Sequence, residues 1–127
     1  MISTTRFGTR DLARAKAFWR VIADMVGAKV VYDRDTMISF RGAEGSMLLI
    51  GLPLEGVHEV GNGNMAAIGA PSRAVVDAVH AKALELGGTD EGAPGIRGSD
   101  PNGFYGAYFR DPDGNKLTAF HFGPPDA

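Results

Sequence analysis

Apolar positions recur along the chain at two spacings, and the changes between them mark the elements. From Ile2 to Thr9 they alternate as in a strand, which places Thr5, Phe7 and Thr9 on one face and Thr4, Arg6 and Gly8 on the other. Leu12, Ala15, Phe18, Trp19, Ile22, Met25 and Val26 then follow at helical spacing. Asp11 is placed to cap that helix and Gly27 to end it, with Arg14, Lys16 and Arg20 on its solvated side. Short strands are predicted over Ala28–Tyr32, Thr36–Arg41 and Ser46–Leu52, parted by turns at Asp33–Asp35 and Gly42–Gly45. Pro53 to Gly63 shows neither period and reads as a linker.

The order then repeats. Asn64–Ala70 has strand character, and Pro71–Ser72 open a helix with Val75, Val76, Val79, Ala83 and Leu86 on its apolar stripe, stopped at Gly87–Gly88. Thr89–Asn102 is expected to hold one irregular strand and a Gly/Pro-rich loop that either covers a cleft as a lid or only connects strands. Phe104–Arg110 and Lys116–Phe122 flank Asp111-Pro112-Asp113-Gly114-Asn115, which is concentrated turn chemistry, and so predict a hairpin. Each half is therefore strand–helix–three strands, offset by about 60 residues, a repeat of pattern more than of letters. One such unit buries little alone, so two side by side in one α+β domain is the expected architecture: module one about 1–52, linker about 53–63, module two about 64–122.

Composition narrows the function. A chain of 127 residues, 44% hydrophobic, can bury a real core. A net charge of −2 with scattered basic residues gives no electrostatic case for nucleic acid or an anionic membrane. Absence of cysteine excludes disulfides, thiolate nucleophiles and Cys-ligated zinc. No stretch reads as a signal peptide or a membrane span, so a cytoplasmic protein is the simplest expectation.

The βαβββ repeat, the helix start Thr9–Trp19, the Gly61–Arg73 stretch and the Tyr108–Leu117 hairpin resemble the vicinal oxygen chelate superfamily of glyoxalase I, extradiol dioxygenases, fosfomycin-resistance enzymes and bleomycin-resistance proteins. That resemblance implies two modules forming a curved, open mixed sheet around a cleft, and a dimer whose clefts are completed across paired modules. It also implies a divalent metal, held in catalytic members by His and Glu. The implied ligand positions fall on Thr4, Met65 and Thr118, and a further Glu position falls within Met47–Ile50. Two hydroxyls and a thioether are poor ligands for such an ion, so no metal cofactor is expected.

The remaining polar residues are weighed in turn. His58 is expected in a solvated loop, His80 partly buried on the second helix, and His121 facing away from the cleft. Arg6 shares a face with Thr4, where a guanidinium suits a carboxylate or phosphate; its structural alternative is a partner such as Glu44 or Asp100, or a head group snorkelling to solvent. Lys116 reads as a solvated strand end, and Tyr105 and Tyr108 lie on opposite faces of one strand. Asp111 and Asp113 are explained by local turn hydrogen bonds rather than acid–base work. Two functional classes follow. One is a metal-free protein holding a small, partly apolar molecule, which Arg6 would allow to be anionic, in a cleft lined by Thr4, Arg6, Met65, Tyr108 and Thr118. The other is a metal-dependent lyase, isomerase or dioxygenase with relocated ligands.

Overall fold

Asp11 and Ser72 open the two helices as the sequence predicts, each accepting the backbone N–H three residues on. The computed structural model describes all of residues 1–127, with β1 (Thr4–Gly8), α1 (Leu12–Met25), β2 (Lys29–Asp33), β3 (Met37–Arg41) and β4 (Met47–Gly51) in the first module. The second holds β5 (Ala66–Gly69), α2 (Arg73–Glu85), β6 (Thr89–Ile96), β7 (Phe104–Arg110) and β8 (Lys116–Phe122). Gly27 and Gly87 follow the helices with positive φ of 80° and 100°, the left-handed step that glycine makes without steric cost.

The strands form two four-stranded mixed sheets, ordered β1-β4-β3-β2 and β5-β8-β7-β6. In each, the first strand of the module runs parallel to the last and the other pairs are antiparallel, so topology repeats although the letters do not. β1 and β5 are edge strands of separate sheets. The segment expected to be loose supplies all of β6, irregular as predicted, with register shifts between Asp90 and Gly92 and between Gly92 and Gly95.

One core serves both modules. Ala15, Phe18, Trp19 and Ile22 of α1, Ile38, Phe40 and Ile50 of the first sheet, Val76 and Val79 of α2, and Phe109 and Leu117 of the second sheet belong to a single buried cluster. Phe18 stands edge-on to Trp19 with ring centroids 5.2 Å apart and meets Phe109 at 6.5 Å, so α1 packs on the second sheet as well as its own. Neither helix of the chain is long and apolar enough to cross a membrane.

The β7–β8 turn strengthens that junction. Buried Asp111 accepts Trp19 Nε1–H at 3.2 Å, and Asp113 accepts the Thr9 hydroxyl at 2.6 Å and the Arg10 backbone N–H at 2.9 Å. The turn's local hydrogen bonds are present, but they are only part of its work. Its acids also tie one module to the other.

His58 departs from the sequence expectation. Instead of lying in solvent it is only 9% exposed, because the linker folds back along β1. Arg10 Nε–H donates to the His58 carbonyl at 2.9 Å. Gly8 leaves room for the imidazole, since a Cβ there would stand 2.4 Å from Nδ1.

Candidate functional site

Strand alternation sorts the sheet residues into two faces. Thr5, Phe7, Leu48 and Ile50 turn toward the helices, so Thr4, Arg6, Met47 and Leu49 occupy the outer face of the first sheet. Thr4 lies opposite Met47, and Arg6 opposite Leu49. Arg6 pairs with neither Glu44 nor Asp100; one Nη donates to the Leu52 carbonyl at 2.7 Å. Its guanidinium keeps further donors for a ligand.

On the second sheet Phe109, Leu117, Ala107 and Ala119 face the core, which leaves Tyr108, Thr118, Lys116 and Phe120 on the outer face. Tyr108 is the cross-strand partner of Thr118. The Thr118 hydroxyl donates to Met65 Sδ at 3.0 Å, and that half-exposed methionine covers the threonine, which is 1% exposed. Three of the five sequence candidates, Met65, Tyr108 and Thr118, thus come together on one patch. Thr4 and Arg6 sit on the other sheet, and no hydrogen bond joins the two groups within the chain.

An apolar groove of about 410 Å³ lies elsewhere. It opens between the edge strands β1 and β5 and reaches Trp19, Ile22, Phe40 and Leu48 on the core side, with Ile2 and Glu44 near its mouth. Its lining is mainly apolar and lacks any cluster of polar groups suited to catalysis. Thr4 reaches this groove, whereas Arg6, Tyr108 and Thr118 do not.

The histidines stand apart from one another. His80 Nε2 lies 2.9 Å from Asp90 on the α2 side of the second sheet, and His121 Nδ1 lies 3.0 Å from the Ala70 carbonyl, on the face away from Thr118. His58 packs against Gly8. No group of three His, Asp or Glu side chains is placed to hold a metal ion. The donors at the three positions that the family resemblance points to are equally unsuited: Thr118 and Met65 satisfy each other, and Thr4 projects from a different sheet. The residues present do not fit the family's metal.

Sequence reasoning did not find Arg97, whose guanidinium lies 5.4 Å from the Tyr108 ring centroid, nor the stacked pair Phe104 and Phe120, with rings 5.2 Å apart at 9°. Lys116, read as a solvated strand end, is half-buried with its ammonium 5.8 Å from the same tyrosine ring. The alternation of the hairpin did hold the signal for Phe104, Phe120 and Lys116, all of one parity with Tyr108 and Thr118.

Two βαβββ modules, each a four-stranded mixed sheet backed by one helix and joined through a common core, define a two-module α+β class. The chain belongs to the glyoxalase/bleomycin resistance protein/dioxygenase superfamily, whose family model matches residues 2–118. It is similar to the crystal structure of a glyoxalase/bleomycin resistance protein from Albidiferax ferrireducens, at 32% identity and a TM-score of 0.85 over 95% of this chain and 98% of that one. A lactoylglutathione lyase from Agrobacterium tumefaciens is 24% identical with a TM-score of 0.62, covering 95% of this chain and 92% of its own. A hypothetical protein of S. aureus is 20% identical with a TM-score of 0.72, over 95% and 92%. Comparison with curated protein sequences gives no match.

Proposed function

We propose that this superfamily member works without the family's metal and binds a small, partly apolar anion on its outer sheet faces, as a cytoplasmic homodimer. One observation carries the reading. Where catalytic members would hold ligands, Thr118 donates its hydroxyl to the Met65 thioether, so the two side chains form a closed, uncharged contact instead of a metal shell. Beside them stands Tyr108, and the other sheet carries Thr4 and Arg6, groups suited to bind rather than to polarise a substrate. A lyase, isomerase or dioxygenase with relocated ligands needs imidazoles or carboxylates gathered in one place, and the three histidines occupy three separate surroundings.

The dimer is supported by what one copy leaves bare. β1 and β5 are unpaired edges bordering an apolar groove, and unpaired edges of this kind invite another chain. Ile2, Leu54, Val57 and Phe122 are also largely exposed. Laying β1 of one copy beside β5 of a second would bring Thr4 and Arg6 alongside Met65, Tyr108 and Thr118 in one cleft.

Metal analysis of untagged protein tests the first part. Less than about a tenth of an equivalent of Ni, Zn, Mn or Fe is expected, and a stoichiometric, tightly held ion would overturn the reading. Sedimentation equilibrium tests the second, with twice the chain mass of 13.4 kDa expected and a monomer at micromolar concentration counting against it.

A further inference from the structure

We infer that the second sheet carries a built carboxylate site, in which Arg97 and Lys116 flank the Tyr108 ring, and that its ligand is an amphipathic organic acid whose apolar body rests on Phe104 and Phe120. The inference rests on the binding function proposed above and names the residues and ligand class that give it specificity.

Two cations converge on one ring. Arg97 stands 5.4 Å and Lys116 5.8 Å from the Tyr108 centroid. Neither is paired with a carboxylate, although Arg14, Lys16, Arg20, Lys82 and Arg110 all are. The neighbouring acid, Glu91, is engaged by Arg110 at 2.5 Å and does not reach them. The hydroxyl of the same Tyr108 has no hydrogen-bond partner within the chain and can donate to an anion held beside the ring.

The site is shaped for the guanidinium. Arg97 Nη2 donates to the Ala93 carbonyl at 2.6 Å, which fixes the side chain across β6. Glycines lie beneath it: a Cβ at Gly95 would stand 3.1 Å from Nη1, and one at Gly92 3.3 Å from Nη2 and 3.1 Å from the Tyr108 ring. Both have ordinary φ, so space rather than backbone freedom is what glycine supplies here. With one nitrogen anchored, the fork still presents donors in the geometry that a carboxylate accepts in pairs.

One step along the sheet the surface turns apolar. Phe120 lies opposite Gly106, where a Cβ would meet the Phe104 ring at 2.6 Å, so that glycine lets the two phenylalanines stack over the strand. Tyr108 and Gly106 are same-face neighbours about 7 Å apart, so a single ring with one methylene can lie from beside Tyr108 toward the aromatic pair over Gly106.

Titration of the protein with phenylacetate, followed by amide shifts in heteronuclear NMR spectra, tests the assignment, with phenylacetamide and inorganic phosphate as the other two probes. Phenylacetate is expected to shift the residues around Gly106, Tyr108, Thr118 and Phe120, and the amide to bind at least about tenfold more weakly. Arg97→Gln and Lys116→Met should each weaken phenylacetate by about tenfold, and their combination should abolish binding. Gly95→Ala, whose Cβ crowds the guanidinium at 3.1 Å, should weaken phenylacetate in the same direction but by less than Arg97→Gln. Inorganic phosphate should bind more weakly than phenylacetate, since it leaves the phenylalanines uncovered.

Equal binding of the acid and the amide, no binding of the acid, tighter binding of phosphate, or an unchanged double variant would each overturn the assignment. If affinity instead follows Arg6→Gln alone, the cleft still binds anions and only this site fails. If a stoichiometric metal is found while Arg97 and Lys116 still govern affinity, the metal-free reading fails and the site stands.

Discussion

The two modules close their final hairpins in opposite ways. In module one the β3–β4 turn is exposed and looks after itself: Gly42 N–H donates to the Ser46 carbonyl, and the Ser46 hydroxyl donates to Glu44. In module two the β7–β8 turn is buried at Asp111 and Asn115 and reaches about 100 residues back along the chain, to Thr9, Arg10, Arg14 and Trp19. The connection is the same in both, yet one turn only reverses the chain while the other fastens two sheets to one core. A repeat of topology therefore does not imply a repeat of role. The polar residues of the second turn follow from the cross-module contacts, which the first turn lacks.

Removing the central acid of each turn separates them most sharply. Asp111 accepts from Trp19 Nε1, from both the backbone and side-chain N–H of Asn115 at 2.9 Å, and from the Asp113 N–H at 3.0 Å. Asp111→Ala strands these buried donors and should cost about 3 kcal/mol or more in urea unfolding. Glu44→Ala, at an exposed turn, should stay within about 0.5 kcal/mol. Equal losses would mean that the buried turn is no more than a turn.

Next in size is the link across the modules. The Asp113 carboxylate is almost fully buried and joins Thr9 to Arg14, the latter at 2.7 Å. Asp113→Ala should cost about 2 kcal/mol and Thr9→Ala about 1 kcal/mol, with the pair less than additive in a double-mutant cycle because each change removes the same hydrogen bond. Strict additivity would break the claim that these residues act on each other.

The buried acid also gives module two a pH signature. Burial pushes the Asp111 carboxyl up from its ordinary 3.8, against the pull of its N–H donors, and the nearby Asp113 charge adds to the rise. Between 3.8 and the raised value the folded chain binds more protons at this site than the unfolded chain does. Stability contributed by Asp111 therefore falls as pH rises through that window. Measured against Asp111→Asn, the wild type should gain stability on acidification toward pH 4, and an opposite slope would reverse the assignment of burial as the dominant cause.

Much of the architecture was legible because its signals are local. Helix stripes, the caps Asp11 and Ser72, and the turn chemistry of 111–115 set the elements, and the family resemblance supplied their arrangement. What stayed hidden depended on contacts distant in sequence. His58 lies in an aperiodic stretch, and its burial depends on distant residues: the missing Cβ of Gly8, 50 residues earlier, and the Arg10 side chain that holds its carbonyl. Arg97 stands in a run of Gly and Pro that reads as a connector, and nothing local shows that its guanidinium crosses β6 to reach Tyr108. Strand parity, by contrast, does place Thr4 with Arg6 and Tyr108 with Thr118 on shared outer faces.

The smallest effect separates the two helix starts. α1 relies on Asp11 from its own chain start, whereas α2 has Ser72 and also Asp126 from the chain's far end, which accepts the Arg73 and Ala74 backbone N–H groups at 3.0 and 2.9 Å. Those N–H groups hold the Asp126 carboxyl below its ordinary 3.8, an effect to which the charges of His121 and Arg73 also contribute. A depressed folded value means that the contribution is fully present above the unfolded value and is lost as pH falls through the folded one. Asp126→Ala should therefore lower the urea midpoint slightly at pH 7, with the gap from wild type narrowing below about pH 3.8. Asp11→Ala should lower it more, since no distant carboxylate shares that cap. If Asp126→Ala proved the more damaging change, the C-terminal tail rather than Ser72 would be the main cap of α2.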